Sequence, residues 1–127
     1  MIIDTDVLIW YLRGNINAKK IITANTPFKI SVINYLELIQ GMQDKNELRA
    51  LQRQIKKWPA EIIQINESIS KHATFLVENY HLSHSMETGD AIIAATALEN
   101  NEILLTANYK HYSFISNITI QKFKYQP

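Results

Sequence analysis

Five short apolar runs, separated by stretches of helical period, constrain this chain more than any other feature. Ile2, Ile3, Val7, Leu8 and Ile9 read as a buried opening strand broken by Asp4 and Asp6. Residues 28–33 follow Pro27 as a second strand, 61–65 make a third, 103–106 a fourth and 118–123 a fifth. Between them, Asn34 stands three residues before Glu37, which resembles a capping box and predicts a helix to about Gly41. Leu48, Leu51, Ile55 and Trp58 keep helical spacing until Pro59 stops the run. Asn66 offers an N-cap for a helix reaching about His81, and residues 82–87 read as a loop. Thr88-Gly89-Asp90 opens a helix that is apolar nearly all round and is expected to be buried. This alternation implies an α/β fold in three layers, a parallel central sheet of about five strands flanked by helices on both faces. No linker, repeat or low-complexity tract divides residues 1–127, so one domain is expected.

Composition removes whole classes of function. Hydrophobic residues make up 46% of the chain and charged ones 20%, which excludes disorder. Without cysteine there is no disulfide scaffold, Cys-ligated zinc, iron–sulfur cluster or thiol nucleophile. The three dispersed glycines, Gly14, Gly41 and Gly89, cannot write a dinucleotide fingerprint or a Walker A loop. Acids interrupt the N-terminal apolar stretch at once, and the nearly apolar run Ala91–Leu98 is too short to span a bilayer. A soluble, cytoplasmic protein with no membrane role is expected. The formal charge of +1 names no partner.

Open α/β sheets bind ligands at the carboxyl ends of their strands. Asp4 and Asp6 fall on the first strand or its exit, Glu37 in the first turn of the helix after strand two, and Thr106 and Asn108 just beyond strand four. Asp90 opens a helix that no strand directly precedes. Carboxylates gathered in one pocket repel, and a divalent cation relieves that repulsion. Hard oxygen donors without sulfur suit Mg²⁺ or Mn²⁺ rather than zinc, and such an ion activates water and stabilises charge on a phosphodiester. Taken singly, the acids have simpler readings: Glu37 as partner of Asn34 in the cap, Asp90 as a first-turn acid favoured by the helix dipole. Asp4 does not, because an acid in a buried strand needs a partner.

The stretch Ile2-Ile3-Asp4-Thr5-Asp6-Val7-Leu8-Ile9 resembles the opening motif of PIN-domain ribonucleases, and more narrowly that of VapC-type toxins of toxin–antitoxin pairs. Ser31 to Gly41 is similar to their second motif, with its glutamate at Glu37. Asp90-Ala91-Ile92-Ile93-Ala94-Ala95-Thr96-Ala97 resembles the third, with its aspartate at Asp90, and Leu104 to Tyr112 the fourth. The resemblance spans essentially the full chain. It implies a PIN fold and Mg²⁺-dependent endoribonuclease activity, with Asp4, Glu37 and Asp90 as metal ligands. It also implies a homodimer, and an antitoxin that occupies the active site and brings the toxin to operator DNA. His111 departs from the pattern, standing where many members carry an aspartate. Asn108, two residues past Thr106, is expected to take the fourth site position, with His111 a turn into the next helix.

Other readings stand beside this one. An altered fourth motif suits a catalytically weakened PIN module that binds RNA or a protein partner. Asp4-Thr5-Asp6-Val7 invites the D-x-D-x-[TV] loop of aspartate-nucleophile phosphatases, but Leu8 occupies the position that should be Thr or Val. His81 and His84 read as a solvated helix end, and His72 as exposed. Arg49, Arg53, Lys56 and Lys57 form either a solvated helix face or a phosphate-tracking patch. Trp10, Tyr11 and Tyr35 read as core or interface residues rather than base-stacking platforms.

Overall fold

A computed structural model describes residues 1–126; Pro127, the end of the expected domain, lies outside the described residues. Strands β1 (Ile2–Ile3), β2 (Phe28–Ser31), β3 (Ala60–Ile63), β4 (Leu104–Thr106) and β5 (Ile120–Lys122) form one parallel sheet in the order β3-β2-β1-β4-β5. The helices are α1 (Thr5–Leu12), α2 (Ile16–Ala24), α3 (Val32–Gln40), α4 (Lys45–Lys57), α5 (Glu67–His84) and α6 (Thr88–Glu99). Side chains alternate across a strand, and the two central strands show the result. Ile2 and Leu104 pack with α5 and α6, whereas Ile3 and Leu105 pack on the other face with α1, α2, α3 and α4. All four are fully buried, each contributing about 1.5–3 kcal/mol. Three layers with a five-stranded parallel sheet are as expected from the sequence.

Several boundaries differ from the expectation. The opening strand does not run to Ile9: it ends at Ile3, and Thr5 already begins α1. A longer strand would have put Asp4 and Asp6 on one face with Ile2, inside the core. Instead the Asp4 side chain accepts the Thr5 N–H at 2.8 Å as N-cap, and Val7 and Leu8 become the buried face of a helix. Strand two likewise stops at Ser31, which caps α3. Ser31 Oγ accepts the Ile33 N–H at 3.1 Å, and Asn34 Oδ1 accepts the Ser31 N–H at 2.8 Å. The capping box is therefore Ser31 with Asn34, not Asn34 with Glu37, and Glu37 is released from any capping role.

Residues 13–27, where the sequence pattern predicts no element, contain α2, capped by Asn15 and burying Ala18 and Ile22. Helix α5 continues to His84, beyond the expected end at His81, and turns at Ser85 with φ 55°. Leu82 is 95% exposed, so the last turn carries no apolar period to reveal it. His81 and His84 are exposed in that turn, as expected, but His72 is half-buried, with Nδ1 3.1 Å from Glu99 Oε2. Helix α6 buries Ala91, Ile93, Ala94, Ala95, Thr96 and Ala97, and its small side chains let α5 pack closely on it. Among the described residues, no helix is long and apolar enough to cross a membrane.

Candidate active site

The carboxyl ends of β1 and β4, the start of α6 and the second turn of α3 converge on one pocket. Asp4 leaves β1 directly and is only 5% exposed. Its carboxylate holds three donors: the Thr5 N–H on Oδ1 at 2.8 Å, and on Oδ2 the hydroxyls of Thr106 at 2.8 Å and Tyr112 at 3.1 Å. A carboxylate offers about four acceptor positions, so one is left, on Oδ1. Tyr112, fully buried, also stands 3.2 Å from Asp90 Oδ1, and its single proton lies between the two aspartates.

Glu37 joins through a second threonine. Thr5 Oγ1 donates to Glu37 Oε1 at 2.6 Å and accepts from Asn34 Nδ2 at 3.0 Å. The residue that closes the α3 cap thereby also fixes the acid one turn later. Gly89 brings the start of α6 against this wall, close enough that a Cβ there would stand in ordinary contact with Glu37 Oε2 at 3.4 Å. Asp6 faces the loop after β4, with Oδ1 accepting the Val7 N–H at 2.7 Å and Oδ2 the Ala107 N–H at 3.0 Å.

Burial and mutual repulsion act on the same groups. Desolvation, with the charges of Asp6 and Asp90, pushes Asp4 up to about 7. Burial also raises Asp6 and Asp90; His111 and the Tyr112 hydroxyl partly offset the rise at Asp90. Burial and both aspartate charges raise Tyr112 above its ordinary range, so it stays a phenol and a donor.

Of the expected site residues, Asp4 and Asp90 are brought together through Tyr112, and Glu37 is joined to the same framework through Thr5. Asp90 reaches the strand edge although no strand precedes it, because the α5–α6 pair returns the start of α6 to that edge. The exposed Asn108 reaches the pocket through its backbone, its N–H donating to Thr106 Oγ1 at 2.9 Å. His111 ends a 3₁₀ turn, Tyr109–His111, with Nδ1 3.2 Å from Asp90 Oδ2. Sequence reasoning missed Thr5 and Tyr112 as parts of the site. Thr5 was signalled only by standing between two acids, and Tyr112 only by closing the fourth motif.

The donors available to a cation are hard carboxylate oxygens, Asp4 buried and Asp6, Glu37 and Asp90 half-buried, a donor set that suits a hard divalent ion such as Mg²⁺ or Mn²⁺. Among the described residues, no set of three His, Asp or Glu side chains already surrounds a common point as a finished cage. It is in charge and donor type that the residues fit a divalent ion. A groove of about 580 Å³ between α1, α3 and α4 includes Glu37, whereas a cavity of about 640 Å³ between α5, α6 and the amino ends of β4 and β5 contains none of the site acids.

Comparison with known proteins agrees with this geometry. The family profile of the PIN domain matches residues 1–115. Ribonuclease VapC10 of Mycobacterium tuberculosis is 32% identical over 124 residues, covering 93% of this chain and 90% of its own. A toxin–antitoxin complex from Klebsiella pneumoniae contains a chain of the same fold, with TM-score 0.76 and 28% identity over 93% of this chain and 94% of that one. VapBC-1 from nontypeable Haemophilus influenzae gives 0.76 and 25%, covering 95% and 96%. DNA-bound VapBC from Salmonella typhimurium shares the fold at 0.83 with 20% identity, over 95% and 96%. A strand-edge pocket of carboxylates on this sheet order, together with these matches, shows that the chain belongs to the PIN-domain family and, within it, to the VapC group.

Proposed function

We propose that the protein is an endoribonuclease dependent on Mg²⁺, with Mn²⁺ able to substitute, and acts as the toxin of a toxin–antitoxin pair. The observation that carries this reading is the buried Asp4 carboxylate, held by three donors beside Asp90 and Asp6, with Glu37 tied into the same wall. Asp4, Asp90 and Glu37 would hold the ion. Such an ion, when bound, neutralises the acids, polarises water and stabilises charge on a phosphodiester. The chain's own residues supply orientation: Thr106 and Tyr112 fix Asp4, Thr5 fixes Glu37, and Asn108 at the entrance orients a water. A cognate antitoxin neutralises the site, and operator DNA is reached only through it, in a homodimeric toxin. The relatives' names, a ribonuclease and toxin–antitoxin complexes, support the same assignment.

The test is cleavage of structured RNA by purified, antitoxin-free protein with Mg²⁺ or Mn²⁺, abolished by EDTA. Asp4→Asn, Asp90→Asn and Glu37→Gln should each lower single-turnover cleavage at least a hundredfold; wild-type rates in Asp90→Asn would sink the assignment. Asn108→Ala should cost about tenfold, the lower end of the range for lost supporting groups, and His111→Ala less. The His111–Asp90 contact favours one second reading, a weakened module that binds without cutting. Under it, RNA stays bound and intact whatever ion is added.

A further inference from the structure

Every acid of the chain falls outside two stretches, residues 7–36 and 103–127, which together carry seven of the 13 Lys and Arg residues. The fold sews these stretches together. Asn15 Nδ2 donates to the Tyr125 carbonyl at 3.0 Å, and Asn17 Nδ2 to the carbonyls of Lys124 and Tyr125 at 3.4 and 3.3 Å. The Trp10 and Tyr125 rings stack with centroids 4.5 Å apart and planes 6° from parallel. The Arg13 guanidinium lies over the Trp10 ring, 5.9 Å from its centroid.

This seam borders the carboxylate pocket. Lys122 pairs in register with Thr106, whose hydroxyl donates to Asp4, and the Lys122 ammonium stands 4.0 Å above the Tyr109 ring centroid. Tyr109 follows closely on Ala107, whose N–H is held by Asp6. Tyr109 and Tyr125 remain 40% and 47% exposed. A pocket rich in carboxylates repels a polyanion, so a nucleic acid must be drawn in by cations set beside it. Fixed aromatic faces interleaved with cations are what an unpaired strand binds, through base stacking and phosphate contacts. Fastening the C-terminal segment explains the Trp10–Tyr125 stack alone; it explains neither Lys122 over Tyr109 nor the absence of acids.

We propose that this acid-free seam is the surface along which an unpaired RNA segment enters the pocket, its bases against Tyr125 and Tyr109 and its phosphates against Arg13, Lys122 and Lys124. The proposal rests on the nuclease reading above and adds that the substrate is single-stranded where it meets the seam. The experiment is fluorescence anisotropy in EDTA, where binding is read without cleavage, using a fluorescein-labelled single strand of about twelve nucleotides and the matching duplex. Tyr125→Leu, which keeps an apolar cover on Trp10, should weaken single-strand binding roughly tenfold. Lys122→Gln with Lys124→Gln should reduce the slope of log affinity against log salt by about 1.4. Lys56→Gln with Lys57→Gln on α4 should change neither. Unaltered affinity and slope in the seam variants, an equal loss in the α4 variant, or a duplex bound as tightly as the single strand would each overturn the proposal. So would intact RNA binding with lost antitoxin binding, which would give the seam to a protein partner. Adding Mg²⁺ separates the two claims: cleavage by wild type with unaffected seam variants removes the seam alone, and seam-dependent binding without cleavage removes the nuclease reading alone.

Discussion

Asp4 is the residue on which burial, charge and function meet. Its proton is held up to about 7 in the folded chain, against 3.8 for an ordinary aspartate. Between those values the native state binds more protons than the unfolded state, so stability falls as pH rises. The metal-free protein should therefore melt higher at pH 5 than at pH 8, and the raised Asp6 and Asp90 act in the same direction. Asp4→Asn should flatten that profile. Mg²⁺ should raise the melting temperature more at pH 8 than at pH 5, and much less in Asp4→Asn, because the ion binds only the native site. Calorimetry across that range checks both; identical profiles for the two proteins would refute the account. Tyr112→Phe removes a hydroxyl and nothing else. It should cost about 1.5–3 kcal/mol in urea denaturation, as hydrogen bonds to charged groups do, and lower cleavage by at least about tenfold.

Helix starts organise the pocket, and their caps do more than end a helix. In α3, Asn34 closes the capping box through Oδ1 and holds Thr5 through Nδ2. Asn34→Ala leaves the buried Ser31 N–H without its partner and should cost about 1–3 kcal/mol; it should also lower cleavage, because Thr5 no longer fixes Glu37. Asn66→Ala removes the N-cap of α5, whose Oδ1 accepts the Ile69 N–H at 2.8 Å, and should cost about 0.5–2 kcal/mol while leaving cleavage unchanged. Urea midpoints and single-turnover rates on the two variants separate a cap that only stabilises from one that also positions an acid. Equal activity in both would show that Thr5 does not need Asn34.

Across the whole molecule, stability is concentrated where both faces of the sheet are covered. Residues of β1 and β4 are wholly buried and α6 buries six of its twelve, whereas α4 buries only Leu51 and α2 only Ala18 and Ile22. Native-state hydrogen exchange should be slowest in β1, β4 and α6, and faster by orders of magnitude in α2 and α4. Mass spectrometry of exchanged peptides tests this ranking. Uniform protection would mean that the outer helices open only with the core. Thr106 and Asp90 lie in the slow elements and Asp4 directly follows one, so on this ranking the acids stand on the most rigid part of the fold.

Periodicity alone determined the α/β class, the parallel sheet and the buried α6, because Ala91 to Leu98 can be satisfied only in an interior. It could not place the end of β1. Ile2 to Ile9 is as β-branched as a strand, and what ends it is the cost of facing Asp4 and Asp6 into the core, which exists only once α5 and α6 cover that face. Local pattern also assigned Glu37 to a cap that Ser31 and Asn34 fill themselves. The acids at positions 4, 37 and 90 were legible as residue types and motifs. Tertiary structure alone decided that Tyr112, 108 residues from Asp4 along the chain, sets its hydroxyl between two of them. Only the β1–β4 pairing and the return of α6 bring those side chains within hydrogen-bonding reach, and distances across a sheet are not encoded in any local run of sequence.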